Sequence, residues 1–169
     1  MSLHQLSVTQ RVPLSLDDAW AFFSDPRNLA VITPPSMGFH VRSEVPAAMH
    51  PGLIIAYTVK PILGIPLGWV TEITHVADRQ FFVDEQRSGP YRIWHHEHHF
   101  REVPGGVEMR DIVSYALPFG PLGDIMNRLV VGARVREIFR YREQVLEERF
   151  GRFDGSRLFR AGGFAARTA

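Results

Sequence analysis

Apolar and polar residues alternate along most of this chain, and the places where the period changes mark its elements. Residues 3–12, LHQLSVTQRV, put Leu6, Val8 and Val12 on one side of a strand that Pro13 closes. In LDDAWAFF the spacing turns helical, with Trp20 and Phe23 on one face. Ser15 precedes it and Asp18 follows three residues on, a capping-box arrangement that predicts a short helix over 16–24. Asp25-Pro26 opens a second, shorter helix, because proline costs nothing at a first helical position, and Pro34-Pro35 ends it. From residue 37 the period is two again. Segments 39–45, 53–59, 68–76, 80–86, 91–100 and 107–117 read as strands. The breaks between them (His50-Pro51-Gly52, Ala77-Asp78-Arg79, Ser88-Gly89-Pro90, Pro104-Gly105-Gly106) are short, which implies hairpins and an antiparallel meander. KPILGIP, 60–66, is too rich in proline and glycine for a central strand and reads as an apolar loop or edge. From 121 to 150 the spacing is helical once more: Leu122, Met126, Val130, Ile138, Val145 and Leu146 share one face of a single long helix, and Gly151 fits its C-cap.

The order is therefore strand, two short helices, six strands and one long helix. The long helix must lay its apolar face on a curved antiparallel sheet, the one large partner available. A sheet curling round a helix leaves a hollow between them, and that geometry favours a ligand pocket. One domain is expected over 1–150, with 151–169 as a flexible tail in which Phe153, Leu158, Phe159 and Phe164 are docking candidates. At 169 residues, 45% hydrophobic and 22% charged, the chain can bury a sizeable core. A formal charge of +1 argues against nucleic acid or an anionic membrane as partner. With no cysteine, disulfides, zinc–thiolate sites and thiol nucleophiles are excluded. MSLHQLSVTQ lacks the pattern of a signal peptide, and no apolar run approaches the ~20 residues of a membrane span, so a cytoplasmic location is expected. G-x-S-x-G, G-x-G-x-x-G and G-x-x-x-x-G-K-[ST] are all absent, which removes support for a serine hydrolase or a nucleotide site.

Candidate chemistry concentrates in RIWHHEHHF, 92–100, where His95 to His99 holds four histidines and a glutamate. On a strand, Trp94, His96, His98 and Phe100 share one face, and Ile93, His95, Glu97 and His99 the other. The aromatic ends point the first set inward; the cost of burying the Glu97 carboxylate points the second to solvent. His95 and His99 lie about 13 Å apart and share no single ion. His96 and His98 lie about 6.6 Å apart and would converge on an ion only with a third ligand from another strand, so no metal is expected. If the turn at Pro104-Gly105 centres the hairpin, His98 faces Asp111, His96 faces Val113 and Trp94 faces Tyr115. A His98–Asp111 pair is then either a buried pair that pins the sheet, or a polar handle or general base in a pocket; a register slip of one residue would destroy both. Arg134 and Arg142 interrupt the apolar face of the long helix. Each either snorkels or reaches inward to a carboxylate, Asp84 and Asp111 being the internal candidates. Tyr57 and Tyr115 offer hydroxyls on an apolar wall, Trp69 and Trp94 an aromatic surface, and FGPLG, 119–123, a cavity lip.

GPYRIWHHEHHF, the Pro-Gly-Gly turn, MRDIVSYALPFGPLG and IFRYREQVL together resemble the START-like (SRPBCC) superfamily, with Gly68-Trp69, TEIT and RQFFVDEQRSGPY extending the likeness over 3–150. This is the helix-grip fold of steroid-transfer domains, birch-pollen allergens and polyketide cyclases. The resemblance implies an α+β fold in which a curved seven-stranded antiparallel sheet wraps a long C-terminal helix around an apolar cavity. Its members range from lipid carriers to cyclases and hydrolases, so function has to come from the site. The expected function is non-enzymatic binding of a small hydrophobic or amphipathic molecule such as a lipid or a polyketide, with no cofactor. Tyr57, Trp69, Trp94, His96, His98 and Asp111 are the expected contacts from the sheet, together with Tyr115; Met126, Val130 and Arg134 are those from the helix. Two alternatives stand. One is a cyclase, dehydratase or hydrolase with His98 as base, Asp111 orienting it and Tyr57 or Tyr115 as acid or oxyanion donor. The other is an interaction module that docks through the arginine-rich tail. Oligomeric state is left open.

Overall fold

The computed structural model describes residues 2–60 and 64–154. Seven strands form one antiparallel sheet: β1 (His4–Val12), β2 (His40–Val41), β3 (Leu53–Val59), β4 (Leu67–Ala77), β5 (Phe81–Ser88), β6 (Ile93–Val103) and β7 (Gly106–Ala116). Their spatial order is β1-β7-β6-β5-β4-β3-β2, so the first strand pairs with the last and the rest form a meander. Register breaks between β4 and β5, at Val70/Thr71 and Ile73/His75, are the irregularities that bend a sheet. This is the α+β helix-grip fold.

Helix α1 (Leu16–Phe23) starts where Ser15 Oγ accepts from the Asp18 amide at 3.1 Å. The expected second short helix is instead two 3-10 turns, Pro26–Ala30 and Pro35–Met37. Proline suits a first helical position, so Pro35 begins a turn as readily as it ends one. The strand expected over 39–45 shrinks to His40–Val41. The amides of Arg42 and Ser43 both donate to Ala56 O, at 2.7 and 3.2 Å, and two residues facing one carbonyl break the ladder. Of the KPILGIP loop, 61–63 lie outside the described residues, as do Leu158, Phe159 and Phe164 of the tail. Phe153 does pack, with the Arg11 guanidinium 5.8 Å from its ring.

The C-terminal helix runs from Pro121 to Phe150 but changes pitch: α2 (Pro121–Met126) passes through a π turn, Asn127–Val131, into α3 (Gly132–Phe150). Its buried face is Asn127, Val131, Val135, Phe139, Arg142 and Leu146. The expected face is therefore corrected at its start, where Leu122 and Met126 are exposed at 59% and 39%. A π turn takes more residues per turn than an α turn, so a face projected backwards at 100° per residue drifts off the true one. Val131, Val135 and Phe139 pack on Leu6, Val8, Val113 and Tyr115 of β1 and β7. Ala19 of α1 and Ile32, between the two 3-10 turns, seal one end against Phe82, Phe100 and Met109. Leu53, Ile55 and Ile73 form a separate apolar cluster on β3 and β4. The helix thus grips one side of the sheet, and the other side stays open to the interior.

Candidate functional site

A cavity of about 170 Å³ fills the space between β3–β6, α3 and the short helices. Alternation along each strand determines what faces it: Ile55 and Tyr57 from β3, Trp69, Thr71 and Ile73 from β4, Phe82 and Asp84 from β5, Trp94, His96 and His98 from β6. Aromatic rings meet along one wall. Trp69 stacks on Tyr57 with centroids 5.9 Å apart and meets Trp94 edge-on at 5.3 Å; Tyr91 lies 4.8 Å from Trp94.

Charge adjoins these rings on the same sheet, the Trp94 and His96 rings lying 6.2 Å apart. β6 and β7 pair with His98 opposite Asp111, His96 opposite Val113 and Trp94 opposite Tyr115, the register expected for a hairpin centred at 104–105. β5 adds Asp84 opposite His96. The result is a buried cluster in which His96 Nε2 bonds Asp111 Oδ1 at 2.9 Å and His98 Nε2 bonds Asp84 Oδ2 at 2.8 Å. Arg142 Nη1 reaches the same Asp111 oxygen at 3.3 Å, and Phe82 stacks on His98 at 4.1 Å. Burial works against every charge here, yet the partners win at three of the four titrating groups. Burial pushes Asp111 up, but the Arg142 guanidinium and the two histidines hold it well below the usual carboxylate range. Asp84 is likewise lowered against burial by its hydrogen bond to His98 and the charge of His96. Burial opposes protonation of His98, but hydrogen bonds to Asp111 and Asp84 raise its pKa. For His96, burial and the neighbouring His98 charge prevail and lower it.

Among the residues expected to contact a ligand, Tyr57, Trp69, Trp94, His96, His98 and Arg134 line the cavity. Arg134 does so at its edge, half exposed and bonded to Glu137 at 2.7 Å. Asp111 and Tyr115 are buried but are not among the lining residues; Asp111 sits behind the histidines, and the Tyr115 hydroxyl donates to Asn127 Oδ1 of the π turn at 2.8 Å. Burial pushes the Tyr115 phenol up to about 12. Met126 is exposed, and neither it nor Val130 reaches the cavity. Nor does the 119–123 segment, where Phe119 is 78% exposed. These placements follow from the π turn, which rotates the start of the helix away from the sheet. The arginine that enters is Arg142, with a side chain only 5% exposed. Phe22, Phe23 and Leu29 from the short helices add to the lining; periodicity alone could not show which end of the sheet they cover. Outside, His95 pairs with Glu85 and His99 with Glu97, both at 2.9 Å, as the solvent-facing set.

A family model described as polyketide cyclase / dehydrase and lipid transport matches residues 12–141. No curated protein matches the sequence. Among solved structures, the chain is similar to TTHA0849 from Thermus thermophilus at 18% identity and a TM-score of 0.66, covering 86% of this chain and 96% of that one. A START superfamily protein from Mycobacterium smegmatis is similar at 14% identity and a TM-score of 0.65, with 86% and 98% covered. Ara h 8.0201 is similar at 14% identity and a TM-score of 0.58, with 86% and 99% covered. At these identities the likeness establishes the fold.

Proposed function

The chain belongs to the polyketide cyclase / dehydrase and lipid transport family, within the START-like superfamily of hydrophobic-ligand-binding folds, and from that premise we propose that it binds one small amphipathic molecule between sheet and helix. The observation that carries this reading is the mixed lining of the cavity, where the rings of Trp69, Tyr57, Tyr91 and Trp94 adjoin the charged groups Asp84, His96, His98 and Arg142. Apolar walls supply affinity and a few polar groups supply orientation. A cavity of about 170 Å³ is close to the roughly 150 Å³ that admits benzene in an engineered apolar core. The ligand is therefore of single-ring or short-chain size. Trp69 Nε1 and Arg142 Nε are buried donors with no partner among the described residues, which favours a ligand that carries an acceptor.

Catalysis with His98 as base has less support. Its Nε2 bonds Asp84 and its Nδ1 lies 2.9 Å from Asp111, so neither nitrogen is free to take a substrate proton. Tyr57, the other candidate group on the cavity wall, is bonded to Thr71 at 2.6 Å.

Native mass spectrometry of the freshly purified protein, with titrations of short fatty acids and single-ring aromatic acids, tests the binding reading. One ligand per chain is expected, and filling the cavity by Ile138→Trp should abolish uptake with the circular dichroism unchanged. Failure of the folded wild-type protein to take up any of these probes would sink it.

A further inference from the structure

His96 and His98 stand side by side on β6, ring centroids 3.7 Å apart, between one carboxylate from each neighbouring strand. Toward β7, Asp111 Oδ1 lies 2.9 Å from His96 Nε2 and 2.9 Å from His98 Nδ1. Toward β5, Asp84 Oδ2 lies 3.5 Å from His96 Nδ1 and 2.8 Å from His98 Nε2. Each imidazole therefore spans both aspartates. Asp111 also pairs with Arg142 at 3.3 Å, which leaves it placed as the acceptor for the two ring nitrogens that face it. In neutral rings of those tautomers, His96 Nδ1 and His98 Nε2 turn lone pairs toward the Asp84 oxygen. Three electron-pair donors then converge, all within 4.8 Å of one another. Asp84 Oδ2 lies 2.8 Å from His98 Nε2 and 3.5 Å from His96 Nδ1, so one ion seated beside that oxygen is within reach of all three residues.

We propose that Asp84, His96 and His98 bind a divalent transition-metal ion, with Asp111 as the outer carboxylate that orients both imidazoles. Two imidazoles and one carboxylate with open positions are the donor set that suits iron(II), and zinc takes the same ligand types. Bonds of about 2.0–2.2 Å to the ion put neighbouring ligand atoms roughly 3.0–3.5 Å apart. The observed 2.8 and 3.5 Å need only small adjustments to reach that range. Metal-bound histidines characteristically donate their second N–H to a carboxylate, and Asp111 stands where it can receive both. The charges agree: Arg142 offsets Asp111, and Asp84 with a divalent ion leaves one net positive charge. That charge faces the cavity, because the three ligand residues line it while Asp111 does not. The remaining coordination positions thus open toward the cavity, where they would take water or an anionic ligand oxygen. The outer set is no competitor, since His95 and His99 lie about 13 Å apart along the strand.

Metal uptake by the full chain tests this without any cavity ligand, so its failure leaves the binding reading standing. After chelator dialysis, the protein is titrated with cobalt(II) and zinc(II) near neutral pH, following cobalt absorption, calorimetric stoichiometry and histidine ring NMR signals. One equivalent is expected. Asp84→Asn and His96→Gln should each weaken binding by at least about 100-fold, and Asp111→Asn by about 10- to 100-fold. His99→Gln should leave it unchanged. In the wild type, cobalt should shift the His96 and His98 ring signals before those of His95 or His99, a readout that stands even if a variant fails to fold. Substoichiometric uptake, first shifts at the outer histidines, or full affinity retained in folded Asp84→Asn would overturn the assignment.

Discussion

Two arginines on one helix, equivalent by spacing, have opposite fates, and burial decides between them. Arg142 and Asp111 are buried together, with side chains 5% and 4% exposed. Arg134 and Glu137 are half exposed. Removing one partner of a buried pair strands the other charge, so Arg142→Met should lower stability by about 3–5 kcal/mol in urea unfolding. Arg134→Ala should change it by less than about 0.5 kcal/mol, because solvent screens the surface pair. A loss below about 1 kcal/mol for Arg142→Met would mean that the histidines alone neutralise Asp111. Glu108 gives the pH dependence. Its hydrogen bond to Arg11, opposed by burial and helped by Arg101, lowers its pKa in the folded protein. Such a group stabilises the fold fully above its unfolded pKa of about 4.3, and that contribution is lost as pH falls through the depressed folded value. The advantage of wild type over Glu108→Gln should therefore be constant near neutrality, begin to shrink as pH drops below about 4.3, and vanish only below the depressed folded value. An advantage that persisted unchanged into stronger acid would refute the ion-pair origin.

At the scale of elements, the π turn is the feature that periodicity does not reveal. Beyond it the buried positions Val135, Phe139, Arg142 and Leu146 follow ordinary helical spacing. Before and within it, Leu122, Ile125 and Leu129 point outward, 59%, 53% and 72% exposed, although their types suit a core. Leu146→Ala should cost about 2–5 kcal/mol through the cavity it leaves. Leu129→Ala, with no packing to lose, should stay within about 0.5 kcal/mol. Equal losses from both in thermal or urea unfolding would show that the buried face of the helix lies elsewhere. Asn127 explains the offset: it is a polar residue that a hydrophobic pattern passes over, yet it is buried and accepts from Tyr115 of β7.

For the whole molecule, a ligand held between sheet and helix touches elements far apart in sequence and so binds the folded chain alone. Occupancy at about 100 times the dissociation constant should stabilise the fold by about 2.7 kcal/mol. That should appear as a rise in melting temperature for wild type and as no rise for Ile138→Trp. Equal rises in both would place the ligand on the surface.

The residues alone determined the order of elements and the two faces of the histidine strand, and made the pairing of His98 with Asp111 conditional on a turn at 104–105, which the structure supplies. These are local matters: an alternation of two, a turn at 104–106, the cost of burying Glu97. Segments such as GPYRIWHHEHHF and MRDIVSYALPFGPLG carried the START-like resemblance. Tertiary structure decided what local rules cannot reach. Asp84 joins the histidines because β5 pairs with β6, and sequence could name it only as one possible internal acid. Arg142 rather than Arg134 turns inward because a π turn and the β1–β7 contact fix the rotation of the helix. Side-chain alternation is dictated by backbone geometry within a strand; which side chains meet across elements depends on how whole faces pack.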